Sequence, residues 1–483
     1  MVEVNNLSHV DAITYESLRL ILGDIMAPVV DLEIQESPNQ HGKLSVTIIA
    51  EEPVKDYILY EGNNDIAVLY MQNGAMKALF QGILINMRVM AAGEVYYVFM
   101  EVITASYLLD YQVHNGSFQD IGMTSHQMIK LIMNLFPGSQ MLISIPDQPV
   151  GMIAVMYQET VWDFLKRFLS RYGAYLYVDS TKKGICLCFG LQDTKESVSW
   201  DHLPYVIKRD IAPKDVEKQL KGQLVYCVES YDVLPLGTQV LFHGKELYIG
   251  TIYRGFRNGL LVNQYHLYFK EGLRIKTYYN PNISGISVKG VVTNIMRNQV
   301  QVRLQIDALK SYQNQYFYPY SSVAASPDGG GWYCMPKPGD PVRIFFPVSD
   351  ESKGYAISSV QGESSPASDS PMGNPDLKDI TTPDGKTVKF IENGILLSVG
   401  EGNGSVTLTN DGKAEFNTKE SIIIGAGEEI KITTDGELTL SAGTQATFTS
   451  EAGSSINLTD DTIEANASII WNNSGGHNGI QFA

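Results

Sequence analysis

Along most of this chain apolar residues alternate with polar ones in short runs, the mark of strands that bury one face. Val30–Ile34, Lys43–Ile49, Asp65–Tyr70, Leu79–Ile85 and Tyr96–Val102 make a first block, separated by clusters of Gly, Asn and Pro. Gln223–Val228, Thr238–Phe242, Glu246–Ile249 and Leu261–Phe269 make a second block of the same density, so two related small barrels are expected. A third set, Gly290–Ile295, Gln299–Leu304, Pro341–Phe346 and Gly354–Ser358, is compact enough for a five-stranded barrel of the OB type.

Two stretches break the alternation. Thr124 is placed to cap a helix carrying Met128, Ile129, Ile132 and Leu135, stopped by Pro137-Gly138. Thr160-Val-Trp-Asp163 has capping-box spacing, and Trp162, Leu165, Phe168, Leu169 and Tyr172 share one face of the helix that follows. Gly173 ends that helix before the run Ala174–Val178. The two stretches predict helices packed on a sheet, with the aromatic stripe as core rather than a ligand box.

Past Ser405 the rhythm changes. Pairs of apolar residues flanking one other residue recur every eight positions: Val406/Leu408, Ala414/Phe416, Ile422/Ile424, Ile430/Ile432, Leu438/Leu440 and Ala446/Phe448. Turn residues stand between them, as in Asn410-Asp411-Gly412, Gly425-Ala426-Gly427 and Asp435-Gly436, where glycine supplies the positive φ of a sharp bend. Each strand offers two inward side chains, too few to close a core in one chain, so stacking and partner chains must supply the rest. After Phe448 the beat slips, to Ile456/Leu458, Ile463/Ala465 and Ile469/Trp471.

These patterns divide the chain into an arm (1–22), a first barrel (23–104), an inserted α/β segment (105–205), a second barrel (206–280), the OB unit (281–361), a Ser/Pro/Gly linker (362–378) and the repeat with its tip (379–483). Composition agrees: of 483 residues 44% are hydrophobic and 27 are Tyr, which leans the chain toward strand. The net charge of −17 is concentrated in the last region, where 15 Asp and Glu face 5 Lys and no Arg. A surface of that sign repels phosphate backbones, so no nucleic-acid partner is expected. The start lacks a basic segment and no apolar run reaches the length of a membrane span, so synthesis and assembly are expected in the cytoplasm.

Candidate chemistry is sparse. Cys186 and Cys188 face the same way in an apolar run, and with Cys227 and Cys334 they have no partner pair or His at metal-ligand spacing; buried free thiols are expected. The loop Ser326–Trp332 is rich in Gly but lacks the Lys-Ser/Thr end of a phosphate loop. There is no His-Glu-x-x-His, no Gly-x-Ser-x-Gly and no acid pair at a defined spacing, so no catalytic residue and no cofactor is expected.

Two motifs carry a resemblance. Tyr157-Gln-Glu-Thr-Val-Trp-Asp-Phe-Leu-Lys-Arg-Phe-Leu-Ser-Arg-Tyr-Gly-Ala-Tyr-Leu-Tyr177 resembles the hub helix, and the strand after it, of the hub-and-spike proteins of contractile injection machines. That family comprises phage baseplate hub and spike proteins, the late control protein D group, and the valine-glycine repeat (VgrG) proteins of type VI secretion. Gly331-Trp-Tyr-Cys-Met-Pro-Lys-Pro-Gly-Asp-Pro-Val-Arg-Ile-Phe-Phe346 is similar to the family's OB-fold segment, with Trp332, Gly339, Asp340 and Phe346 at its marked positions. The resemblance implies a mainly β fold and a homotrimer whose two tube-like barrels per subunit form a pseudo-sixfold ring. That ring would dock on a hexameric inner tube beside other baseplate proteins. The repeats of three chains would wind into a triangular β-prism filled by the octad pairs, meeting a target membrane only by mechanical puncture. The His-x-His of metal-binding tips is missing; His477 is the lone candidate, which threefold symmetry would bring near one axis. No metal is expected there; a disordered or partner-binding tail is the preferred reading, and a tip protein or effector cargo is a candidate partner at the apex.

Two rival functions stay open at this point. An envelope-degrading enzyme would need its catalytic part in 105–205 and would act on peptidoglycan. A trimeric tail fibre or adhesin would share the repeat but would need neither two barrels nor an OB unit, and as an adhesin it would normally carry an export signal.

Overall fold

The computed structural model describes residues 12–60, 64–72, 74–192, 195–196, 198, 200–209, 224–307, 314–323, 334–358, 378–382, 384–400, 402–459 and 462–468. The chain falls into two compact units, Met1–Gln361 and Gly362–Ala483. It is mainly β, as the alternation predicts, and no described helix is long and apolar enough to cross a membrane.

The first unit opens with β1 (Leu18–Leu22), β2 (Ile25–Glu36), β3 (Lys43–Ala50), helix α1 (Glu52–Tyr60), β4 (Asp65–Gln72), β5 (Ala75–Ala92) and β6 (Val95–Ile103). The strands close on themselves in the order β1-β4-β5-β6-β3-β2-β1, antiparallel throughout. Alternate residues such as Leu20, Val29, Ile34, Val46, Val68, Phe80 and Val98 fill the interior. The ring corrects the expected arm: Leu18, Leu20 and Leu22 point inward at full burial, so the period-two pattern already holds there and residues 18–22 are strand. Gly82 marks where β5 turns from β4 to β6, since any side chain at this point would collide with the Ile103 carbonyl.

Next come β7 (Val113–Phe118), α2 (Ser125–Met133), β8 (Gln140–Ile143), β9 (Ala154–Thr160), α3 (Val161–Ser170), β10 (Leu176–Val178) and β11 (Cys186–Phe189). Thr124 caps α2 with the full reciprocal box through Gln127, whereas Thr160 caps α3 by accepting from the Asp163 amide alone at 3.1 Å. Both helices pack on the three-stranded sheet β10-β11-β8 around Phe164, Phe168, Leu187 and Phe189.

Strands β12 (Lys195–Glu196), β13 (Tyr205–Arg209), β14 (Leu224–Ser230), β15 (Gln239–Phe242), β16 (Lys245–Arg257) and β17 (Leu260–Tyr268) form the second block. It has its own core around Val228, Phe242, Ile252 and Tyr265. The two blocks share one twelve-stranded sheet, because β16 pairs with β2 through Ile252↔Glu36 to Gly255↔Glu33. The unit ends in the antiparallel sheet β20-β19-β18-β21-β22, made by β18 (Ile286–Met296), β19 (Gln299–Leu304), β20 (Tyr318–Pro319), β21 (Pro341–Phe346) and β22 (Tyr355–Ser358). Val292, Val302, Ile344 and Phe346 form its core.

The second unit holds two antiparallel meanders. β23 (Lys378–Thr381), β24 (Thr387–Ile391), β25 (Gly394–Val399), β26 (Gly404–Thr409) and β27 (Ala414–Thr418) form a five-stranded panel in sequence order. After a long extended stretch, β28 (Ala446–Thr449), β29 (Ser455–Leu458) and β30 (Ile463–Asn466) form a three-stranded one.

Candidate functional site

The octad residues lie in the second unit, where none of the described residues is buried. In the panel the pairing register sorts side chains into rows. Ile380, Val388, Leu397, Val406 and Phe416 stand opposite one another across all five strands, and Phe390, Ile395, Leu408 and Ala414 form the next row on the same face. The intervening rows, Asp379-Lys389-Leu396-Thr407-Glu415 and Thr381-Thr387-Ser398-Ser405-Asn417, are polar except at Leu396 and point the other way. Along β25 the apolar Ile395, Leu397 and Val399 are the exposed residues while Leu396 and Ser398 are half-covered. The single chain thus shows water the face it should hide.

Beyond the panel the chain runs extended from Ser421 to Gln445, and bends recur at 411–412, 419–420, 427–428, 435–436, 443–444 and 451–453. The eight-residue beat of the sequence is therefore an eight-residue beat of the backbone. Among the described residues no backbone-to-backbone hydrogen bond is made by Glu420 through Gln445; the Glu420 and Gly436 amides donate to the hydroxyls of Thr418 and Thr434. Ile422, Ile424, Ile430, Ile432, Leu438 and Leu440 are all more than half exposed, and Ile423 reaches 90%. Ala446 and Phe448 resume pairing in β28, opposite Leu458 and Ile456. The chain brings Val406, Leu408, Ala414 and Phe416 together on one face and leaves the six middle residues outside any strand pairing and more than half exposed. Sequence reading missed the upstream rows from Ile380 to Val399, because spacings there vary with turn length and never settle to eight.

In the first unit Trp162, Leu165 and Phe168 are buried and Tyr172 packs against their cluster. The same helix buries a charge cluster with no sequence motif. Arg167 donates from Nε and Nη2 to the two Glu159 carboxylate oxygens at 3.2 and 2.5 Å, and from Nη1 to Glu351 Oε1 at 2.5 Å. Arg171 Nη2 reaches the same Glu351 oxygen at 3.3 Å. Burial pushes the Arg167 guanidinium down, but Glu351 and Glu159 outweigh it and hold the charge. Glu351 is the first residue of the short turn before β22, so this cluster ties α3 to the five-stranded sheet.

A Ser-His-Asp arrangement also appears. His41 Nδ1 lies 2.8 Å from Ser106 Oγ and its Nε2 3.4 Å from Asp110 Oδ2. The serine is fully buried and shares its hydroxyl with Thr104 Oγ1, so no substrate reaches it. Asp110 instead accepts from Thr160 Oγ1 at 2.6 Å, and the His41 ring stacks on Trp162 at 4.1 Å. The trio clamps the β2–β3 loop onto the start of α3; burial is the main cause of its lowered His41 pKa.

Gly339 has φ +98° and donates its amide to the Val292 carbonyl at 2.8 Å, while Asp340 Oδ2 accepts from the Lys337 amide at 2.7 Å. These two residues form the turn into β21, and Phe346 at the strand's end is fully buried. Trp332 and His477 lie outside the described residues. Cys186, Cys188 and Cys227 are buried and Cys334 exposed; burial pushes the Cys188 thiol up to about 12. Among the described residues no group of three metal-ligating side chains converges.

No family model matches the chain, and no curated protein matches it. Solved structures do. The E. coli protein c3393, described as a component of the type VI secretion system with structural similarity to bacteriophage T4 tail proteins gp27 and gp5, is 13% identical, with a TM-score of 0.51 over 70% of this chain and 98% of that one. A chain of the half-lidded Francisella PdpA-VgrG complex is 11% identical, with a TM-score of 0.52 over 86% of this chain and 89% of that one. In fold, then, this chain resembles the type VI secretion component c3393 and a chain of the PdpA-VgrG complex.

Proposed function

We propose that this chain is the trimeric hub and spike at the head of a contractile injection machine, a structural part rather than an enzyme. One observation carries the reading: a long, regularly bent, extended stretch presents its apolar side chains to water and makes no backbone-to-backbone hydrogen bond within the chain, a surface that partner chains would cover. The fold neighbours supply the context in which such a stretch is a spike. Three copies, each with two barrel-like blocks (β1–β6 and β12–β17) joined in one sheet, make a ring of six that matches a hexameric inner tube and its baseplate. Segment 281–361 is the OB-fold collar, and 379–483 the β-prism, with Val406 to Phe448 around its axis.

Its work is mechanical. An intertwined prism leaves no free strand edge and resists compression, which suits a point driven through an envelope and delivered outward. The apex receives a tip protein or cargo. The test is the mass of the purified protein in solution across a dilution series: a dilution-resistant species of about three times 53.4 kDa is expected, as closed cyclic assembly requires. A monomer at every concentration would overturn the reading.

A further inference from the structure

The C-terminal unit is held together in two different ways. Across the panel the backbone pairs within the chain; from Glu420 to Gln445 it does not. The two parts meet in a groove of 570 Å³ lined by Ile380, Val388, Leu397, Val406 and Phe416 and reaching Ile422, the first residue of the unpaired octads. That volume is within the range of small-molecule sites, but such sites aim a few buried polar groups at their ligand. No residue here is buried; Lys386, Asn417 and Ser421 are among the polar residues that also line the groove, and its apolar part is a row running across all five strands. The surface fits another apolar sheet face.

We infer that its occupant is the same face of a second copy of this chain, and that panel-on-panel docking sets the register in which the octads then pair. The inference rests on the trimer reading. Its argument is one of degeneracy. Ile422/Ile424, Ile430/Ile432 and Leu438/Leu440 are nearly interchangeable, so a chain slipped by eight residues would still match most of its partners. The panel does not repeat. Its strands run to four, five, six, six and five residues, and only one alignment brings the Ile380–Phe416 rows of three chains together. The panel is also pre-paired within one chain, so its docking costs little backbone entropy, while the octads must be ordered in every chain at once. Docking on the panel therefore comes first, and the octads zip away from it in one register.

The experiment is limited trypsin digestion of the full-length protein, with cleavage sites read by mass spectrometry. In the wild type Lys389 in β24 and Lys431 in the octads should both resist. Leu397→Asp alters a residue that is 43% exposed in the single chain, so the chain's own fold tolerates it. It should nevertheless open Lys431, with cleavage roughly tenfold faster or more, since proteolysis follows the population of the open form. Ile432→Asp should open Lys431 and leave Lys389 resistant. Continued protection of Lys431 in Leu397→Asp would overturn the inference while leaving the trimer intact as a reading. A wild type that is monomeric by mass and cut at Lys431 would overturn both.

Discussion

In the first unit the large apolar side chains gather in four clusters, and Leu20, Phe168, Ile252 and Phe346 are essentially sealed from water. In the second unit residues of the same kinds, Phe416, Ile424 and Ile432, are more than half exposed. The hydrophobic alternation is alike in both. What differs is how many inward residues each strand carries and whether a second layer exists in the same chain. β2 contributes five buried positions over twelve residues and faces the far wall of its own ring; an octad strand contributes two and faces nothing. A period-two pattern says that a face must be covered, and strand length and count say whether the chain can cover it alone.

Hydrogen exchange should break this comparison most sharply if it is wrong. In any monomeric fraction the amides of 420–445 should exchange at the first time point while those of β3 and β6 stay protected by the global stability of the first unit; in the trimer both should be slow. Protected octads in a monomer would mean that the second unit has a core of its own. Next in size are core deletions. Phe168→Ala should cost the first unit about 3–5 kcal/mol in a denaturant titration, whereas Ile432→Ala should leave that transition unmoved and lower only the temperature at which the trimer comes apart.

The buried charges give a narrower test. Arg167→Met leaves Glu159 without its cation and Glu351 with Arg171 alone, and should destabilise the first unit by about 3–5 kcal/mol, with no change in octad protection. The smallest effect expected is on pH. Burial lowers the His41 pKa below its ordinary 6.5, so the unfolded chain binds the proton more readily than the native one. Stability of the first unit should then fall as pH drops through 6.5 toward the lower native value and be flat above it. His41→Phe should abolish that slope in thermal melts taken between pH 5 and 7.5, and leave dissociation of the octads as it was.

Much of the fold was legible because it is local. Strand runs such as Lys43–Ile49 and the caps at Thr124 and Thr160 need only neighbours in sequence, and so does the octad beat. Leu18–Leu22 was hidden by the polar residues before it, although its own alternation is regular. The pairing of β2 with β16, the Arg167–Glu351 contact across 184 positions and the His41–Ser106–Asp110 clamp depend on which distant segments meet. No spacing rule encodes that. The apolar panel rows were missed for a related reason, since turns of unequal length put Ile380, Val388 and Leu397 in register without a constant interval.

On the proposed function, the seam between β2 and β16 bears on how a driven point would transmit its load. Four residue pairs join the blocks edge to edge, and Arg254 and Glu36 lock together across them under full burial. A ladder of backbone hydrogen bonds between strands lying side by side shares a force along the strands among its rungs, whereas a loop between two barrels would bend. Close-packed interiors of low compressibility on either side pass the strain on rather than absorbing it. The twelve-stranded sheet is thus a weld, and the two blocks of one chain should recoil as a single rigid piece.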